Sequence, residues 1–301
     1  MSRRLRKLAV VGTVAAIVLW LASSAAVAWT LTHRKRAPFA EPVPAWGAGR
    51  MEEIRLETVD DQHLGAWFVP AASSPSTSAR TAVILLHGNS GSRTSQAAIV
   101  RWLADRGVAV LAPSLRAHGD SSCDENDVGW SARLDVEACV AFLERRVPGA
   151  RIVVVGTSLG AVAAIYAAPE LDHRVSAYVL ESPYRDLRSA VRHRLRHFLP
   201  VPLDEVAYAG LCFWSHFLLE PDVDDLSPID RIAAMPRDVP VVFLSGNEDF
   251  YAPLAEVEEI RARCPGAARL VRFPGAGHFG GLAAADPERY RGVLLDVLAA
   301  R

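Results

Sequence analysis

Branched, strand-like runs at residues 81–86, 108–112, 152–155, 175–180, 239–244 and 268–273 alternate along this chain with helix-like segments at 94–106, 132–146, 159–168, 251–263 and 287–300. Few folds accommodate that alternation. Parallel strands need long crossover connections, usually helical, so strand and helix in turn imply a mostly parallel α/β sheet with helices on both faces. The run Ile152-Val153-Val154-Val155 has no polar alternation, as a strand buried on both faces requires. Two earlier runs, 51–59 and 64–69, flank the turn-like Asp60-Asp61-Gln62-His63 and read as an antiparallel pair, with Ser73-Ser74-Pro75-Ser76 as a surface loop. Residues 184–231 break the rhythm with a basic stretch and then Phe213, Trp214 and Phe217, and read as an inserted lid over the carboxyl edge of the sheet.

The amino terminus obeys a different rule. Ser2-Arg3-Arg4-Leu5-Arg6-Lys7 leads into an almost uninterrupted apolar stretch from Leu8 to Leu31, then His33-Arg34-Lys35-Arg36. Roughly two dozen apolar residues suffice to cross a bilayer. A retained single-pass anchor (residues 1–36) is favoured by length over a cleaved signal, although Ala26-Val27-Ala28 offers a small-residue cleavage site. The basic cluster on the short amino-terminal side keeps that end inside and sends the folded part, residues 51–301, to the extracytoplasmic side. Arg3-Arg4 is a weak match to a twin-arginine signal, because Arg6 stands where an apolar residue belongs. Residues 37–50, rich in Pro, Ala and Gly, read as a spacer. A formal net charge of −1 leaves no basic excess for nucleic acid. Cys123, Cys139, Cys212 and Cys264 are too scattered for a C-x-x-C site and read as free thiols.

The chemistry centres on Gly156-Thr157-Ser158-Leu159-Gly160, directly behind the strand-like run and ahead of an alanine-rich helix. A side chain presented for attack must stand clear of its own backbone, which demands a sharp turn, and the flanking glycines leave room for one. Ser158 is therefore the candidate nucleophile. A serine hydroxyl needs a base, and the base needs an acid to fix its tautomer. Asp249, in Ser245-Gly246-Asn247-Glu248-Asp249, and His278, in Gly275-Ala276-Gly277-His278, each follow a strand and fall at the edge that carries Ser158. The order Ser, Asp, His is that of the α/β-hydrolase fold. Glu181, after the fourth of the six alternating strands, is the main rival acid and Glu248 a weaker one. For the oxyanion, the Leu159 backbone N–H supplies one donor and that of Asn89, in His87-Gly88-Asn89-Ser90-Gly91, the other. His87 and His118 read as loop-shaping residues, and His193 and His197 as part of a solvated basic helix face.

With these residues the chain resembles the α/β-hydrolase superfamily of serine hydrolases, over roughly residues 51–301. Leu86-His87-Gly88-Asn89-Ser90-Gly91, Arg116-Ala117-His118-Gly119-Asp120-Ser121, Gly156-Thr157-Ser158-Leu159-Gly160 and the stretch from Asp249 to Pro253 look most like its membrane-anchored α/β-hydrolase domain-containing branch, which includes thioesterases and lipases. The loop Pro113-Ser114-Leu115-Arg116-Ala117-His118-Gly119 departs from D-x-R-G-x-G-x-S by lacking the leading Asp. The resemblance implies an α/β-hydrolase fold with an inserted lid behind one transmembrane helix, and hydrolysis of an ester or thioester of a hydrophobic, lipid-like acyl substrate, with no cofactor and no metal. A peptidase or amidase using the same triad, and a non-catalytic membrane-tethered binding protein on the same fold, remain open on sequence alone.

Overall fold

The computed structural model describes residues 2–71 and 81–300, so the expected loop at residues 73–76 lies outside the described residues. Among the described residues eight strands form one sheet: β1 (Glu52–Glu57), β2 (His63–Val69), β3 (Thr81–Leu86), β4 (Ala109–Pro113), β5 (Arg151–Thr157), β6 (Ala177–Glu181), β7 (Val241–Gly246) and β8 (Ala268–Phe273). They lie in the order β1-β2-β4-β3-β5-β6-β7-β8. The β1–β2 and β2–β4 pairs are antiparallel, and every later pair is parallel. All eight sequence-expected strands form; β2 to β7 are buried along most of their length, while the edge strands β1 and β8 keep one buried residue each.

The helices are α1 (Arg3–Thr32), α2 (Ala97–Ala104), α3 (Ala132–Arg146), α4 (Leu159–Leu171), α5 (Leu187–Phe198), α6 (Leu203–Leu218), the short α7 (Pro228–Arg231), α8 (Leu254–Arg263), the short α9 (Leu282–Ala285) and α10 (Pro287–Ala299). Alternate side chains of β3 serve two cores, as the two-residue period of a strand dictates. Ala82, Ile84 and Leu86 pack with Val136 and Val140 of α3, Ile165 of α4, and Val257 and Ile260 of α8. Val83 and Leu85 pack on the other face with Val100 and Leu103 of α2 and Val293 and Leu294 of α10. Burial of each such aliphatic side chain contributes about 1.5–3 kcal/mol. Helix α4 is buried along nearly its whole circumference, which explains why its sequence carries no amphipathic period. Two expected helices start late. Residues 93–96 form a 3-10 turn before α2, and α8 begins at Leu254 because the backbone of Tyr251 and Ala252 is engaged by Asp249.

At 30 residues, α1 is about 45 Å long and apolar enough by length and composition to cross a bilayer core of about 30 Å. Its carboxyl-terminal half packs against α6. Trp20 Nε1 donates to the Val206 carbonyl and Trp214 Nε1 to the Leu21 carbonyl, each at 3.0 Å. Between these clasps Ser24 is buried against Gly210, where a Cβ would fall 2.1 Å from the Ser24 hydroxyl; only glycine permits this approach. Leu203, Val206, Phe213 and Phe217 of α6 are exposed on a stripe beside α1.

Residues 37–50 are packed onto the domain instead of standing away from it, and one acid is the reason. Glu41 is fully buried, accepts from Arg93 Nη1 at 3.1 Å and from Ser114 Oγ at 2.5 Å, and lends its carbonyl to Trp67 Nε1 at 3.0 Å. Arg93, itself inaccessible, also pairs with Asp120 at 2.5 Å. Upstream, Arg34 pairs with Asp124 and donates to the carbonyls of Gly119, Ser121 and Cys123. The four cysteines are unpaired. Breaking a buried pair leaves its partner's charge stranded. Glu41→Ala should therefore lower stability by about 3 kcal/mol, read as an earlier chemical-unfolding midpoint of the detergent-solubilised protein; an unchanged midpoint would remove Glu41 from the fold's supports.

Candidate active site

Ser158 sits at the junction of β5 and α4 with φ 49° and ψ −107°, a conformation non-glycine residues adopt only under constraint. Its N–H donates to the Glu181 carbonyl at 2.8 Å. Gly160 completes the turn by close approach: a Cβ there would lie 2.6 Å from the Leu86 Cβ. The hydroxyl is thereby lifted off the backbone at the carboxyl end of a central strand.

The structure brings three of the sequence-expected residues into one hydrogen-bonded chain. Ser158 Oγ lies 3.0 Å from His278 Nε2, and His278 Nδ1 lies 2.8 Å from Asp249 Oδ2. A carboxylate accepts only, so Nδ1 carries the proton and Nε2 is left to accept from the serine. Asp249 is buried, and its other oxygen accepts from the backbone of Tyr251 and Ala252 at 2.9 and 2.8 Å. Those bonds fix the carboxylate before it meets the imidazole. Asp249, not Glu181, faces His278 Nδ1. Glu181 is also buried, with burial raising its pKa, and accepts from Thr157 Oγ1 at 3.2 Å and from the Leu282 N–H at 3.1 Å. It links the turn before Ser158 to the loop after His278.

Leu159 is the first residue of α4, so its N–H has no partner within the helix and lies at the positive end of the helix dipole. Asn89 follows β3 on the neighbouring strand, and its side chain is held by Asn126 Nδ2, which donates to Asn89 Oδ1 at 3.0 Å. The loop around Asn89 is pinned by the two histidines expected to shape it. The Leu115 N–H donates to His87 Nε2 at 2.9 Å and the Ser90 N–H to His118 Nε2 at 3.1 Å, leaving the Nδ1 protons for the Gly88 and Arg116 carbonyls, each at 2.8 Å. The rings meet edge to face, with centroids 5.0 Å apart. Burial, and secondarily His118, pushes the His87 pKa down to about 3. Both rings therefore work as neutral staples.

Sequence reasoning missed how α5 is held. His193, expected in solvent, pairs with Glu256 at 2.9 Å, and His197 stacks on Phe250 at 3.7 Å between centroids. Neither partner is local in sequence, so no short pattern announced them. Tyr251 and Phe279 flank the His278 ring, with centroids 5.2 and 6.0 Å away.

The His87 environment fixes a sign. Its folded pKa lies below the 6.5 of a free ring, so the neutral ring's contribution to stability is complete above about pH 6.5 and is lost as pH falls toward 3. Wild-type protein should therefore melt earlier at pH 5 than at pH 7, and His87→Gln, which keeps an acceptor without titrating, should show a smaller gap. Equal gaps would assign the acid sensitivity elsewhere.

Residues 81–207 match the family model described as alpha/beta hydrolase fold. An uncharacterized protein of Mycobacterium tuberculosis is 29% identical over 306 residues, covering 98% of this chain and 95% of that protein. Protein bem46 of Schizosaccharomyces pombe is 23% identical, covering 79% and 74%. Among solved structures, an esterase of Pyrococcus furiosus superposes with a TM-score of 0.66 at 23% identity, covering 87% of this chain and 97% of the other. A hydrolase from Pseudomonas aeruginosa gives 0.61 at 22%, covering 84% and 100%. Eight strands in this order, a helix entered through a positive-φ serine, a matching family model over β3 to β6 and the superposed structures together show that the chain has the α/β-hydrolase fold.

Proposed function

We propose that this protein is a serine hydrolase that cleaves a carboxylic ester or thioester of a hydrophobic acyl group. The observation that carries the reading is the chain Ser158 Oγ, His278, Asp249, with both links at hydrogen-bond distance. Ser158 attacks the acyl carbonyl while His278 Nε2 takes its proton, and the tetrahedral oxyanion is held by the N–H groups of Leu159 and Asn89. The imidazolium, steadied by Asp249, returns the proton to the departing alcohol or thiol, leaving acyl-Ser158. Water then attacks that ester, His278 acting again as base, and the acid is released. The exposed Phe279 beside His278 and the apolar stripe of α6 support a hydrophobic acyl group.

Fluorophosphonate labelling tests this reading. Wild type should label on Ser158 and hydrolyse acyl esters; Ser158→Ala should do neither. Asp249→Asn should lower kcat by about 10⁴-fold, the scale of a wrong-tautomer triad. An unlabelled wild type would point to a binding protein, and near-normal Asp249→Asn turnover would move the acid to Glu181.

The reading extends to placement. Residues 1–36 act as a retained anchor, residues 51–301 as the catalytic domain with residues 184–231 as lid, and the domain lies on the extracytoplasmic side. The basic residues in the first turns of α1 and the packing of α1 against α6 support this. A periplasmic alkaline phosphatase reporter fused to the carboxyl terminus should be active in a bacterial host, and the mature chain should retain α1. A start after Ala28 or an inactive reporter would refute the placement.

A further inference from the structure

Five arginines lie between residues 185 and 196, and four of them have acidic partners. Arg185 meets Asp186 at 2.8 Å, Arg188 meets Asp224 at 2.5 Å, Arg192 meets Glu205 at 3.6 Å and Arg196 meets Asp204 at 3.8 Å. Arg194 makes no ion pair among the described residues. Its Nη1 donates to the Ala190 carbonyl at 2.8 Å, and its guanidinium lies 4.6 Å from the centroid of Tyr251, the ring that flanks His278. A second cation without an ion pair among the described residues stands on the oxyanion side: Lys35 Nζ donates to Ser90 Oγ at 2.9 Å, one residue beyond Asn89. Arg194 acts on Lys35 electrostatically. Partial burial, and then Arg194, hold the Lys35 ammonium below its ordinary range; burial lowers Arg194 as well, opposed by Tyr251, Tyr184 and the carboxylate of Asp249.

Cations partly withdrawn from water without a counter-ion are costly, and an anion placed between them recovers that cost. We propose that Arg194 and Lys35 form an anion subsite bracketing Ser158, and that the ester or thioester cleaved here carries a phosphate or carboxylate near its scissile carbonyl. The inference rests on Ser158 being the nucleophile. Arg194 offers a planar fork suited to two oxygens of either anion, with the Tyr251 ring behind it. Lys35 lies three residues past the end of α1, where the chain leaves the apolar span. An acyl chain lodged toward the α6 stripe and a charged group held between Lys35 and Arg194 describe an anionic amphiphile.

The test uses the full chain in uncharged detergent micelles, with acyl esters of one chain length bearing a phosphate, a carboxylate, a zwitterionic or an uncharged group. Wild type should favour the anionic esters over the uncharged one by about tenfold or more in kcat/KM, the scale of one charge-assisted contact. The phosphate and carboxylate arms identify which anion fits. Arg194→Met should cut that preference about tenfold, Arg194→Lys should restore part of it, and Lys35→Met should cut it less. Arg192→Met, which removes a paired surface charge, should leave the preference intact. Wild type without a preference overturns the subsite, as does an Arg194→Met variant that slows all four esters equally, which would make Arg194 a support for the Asp249 loop through Tyr251. Ser158 labelling, followed in parallel, keeps the two readings apart. Normal labelling with no preference sinks the subsite alone; a wild type that does not label sinks the hydrolase reading and the subsite with it.

Discussion

A serine held at φ 49° between a strand and a helix does not hold itself there. A backbone in that region costs of order 1–3 kcal/mol, and the surroundings must over-determine it. Here they do so from three sides: the Ser158 N–H is taken up by the Glu181 carbonyl on β6, Gly160 lets α4 come against Leu86 of β3, and α4 is sealed into the core along its length. The demand for a central, doubly covered strand follows from this turn. The three loops that approach the hydroxyl come from β3, β7 and β8, all ending at the same edge of the sheet.

The candidate site residues at that edge are supported unequally. The acid is fixed by the backbone of its own turn, through Tyr251 and Ala252, so it is set by two residues that follow it directly. The loop of Asn89 is held by contacts from afar: two neutral histidines, Asn126, and the buried Glu41–Arg93–Asp120 cluster beneath Ser92. The placement of the Asn89 loop, which the proposed mechanism uses for the oxyanion, therefore depends on the segment that joins the domain to α1, which supplies Glu41.

What could be read from sequence was what leaves a local pattern. The apolar runs announce β2 to β7 because burial constrains most residues within them, and the edge strands β1 and β8 through the alternation around them. Ser158, Asp249 and His278 were legible because each follows a strand in the required order, and the structure brings them together. Glu41 was not legible. A spacer reading of residues 37–50 rests on counting Pro, Ala and Gly, and one acid whose partner lies 52 residues away leaves no mark in such a count. Arg194 is hidden for the opposite reason, being one of five arginines in a short basic stretch. Only their partners in space distinguish it. The seam between α1 and α6 joins residues almost two hundred positions apart and depends on one glycine, which sequence alone does not mark out.

That seam also decides what a shortened form of this protein would be. A chain beginning after α1 keeps its sheet, its turn at Ser158 and its two cores, yet uncovers the side of α6 that Trp20, Leu21 and Ser24 now occupy. Gly210 and Trp214 would then meet water beside Phe213 and Phe217, merging two narrow apolar strips into one broad sticky surface. The poor solubility of such a fragment would be a property of this one exposed face, with the sheet and its cores beneath it intact.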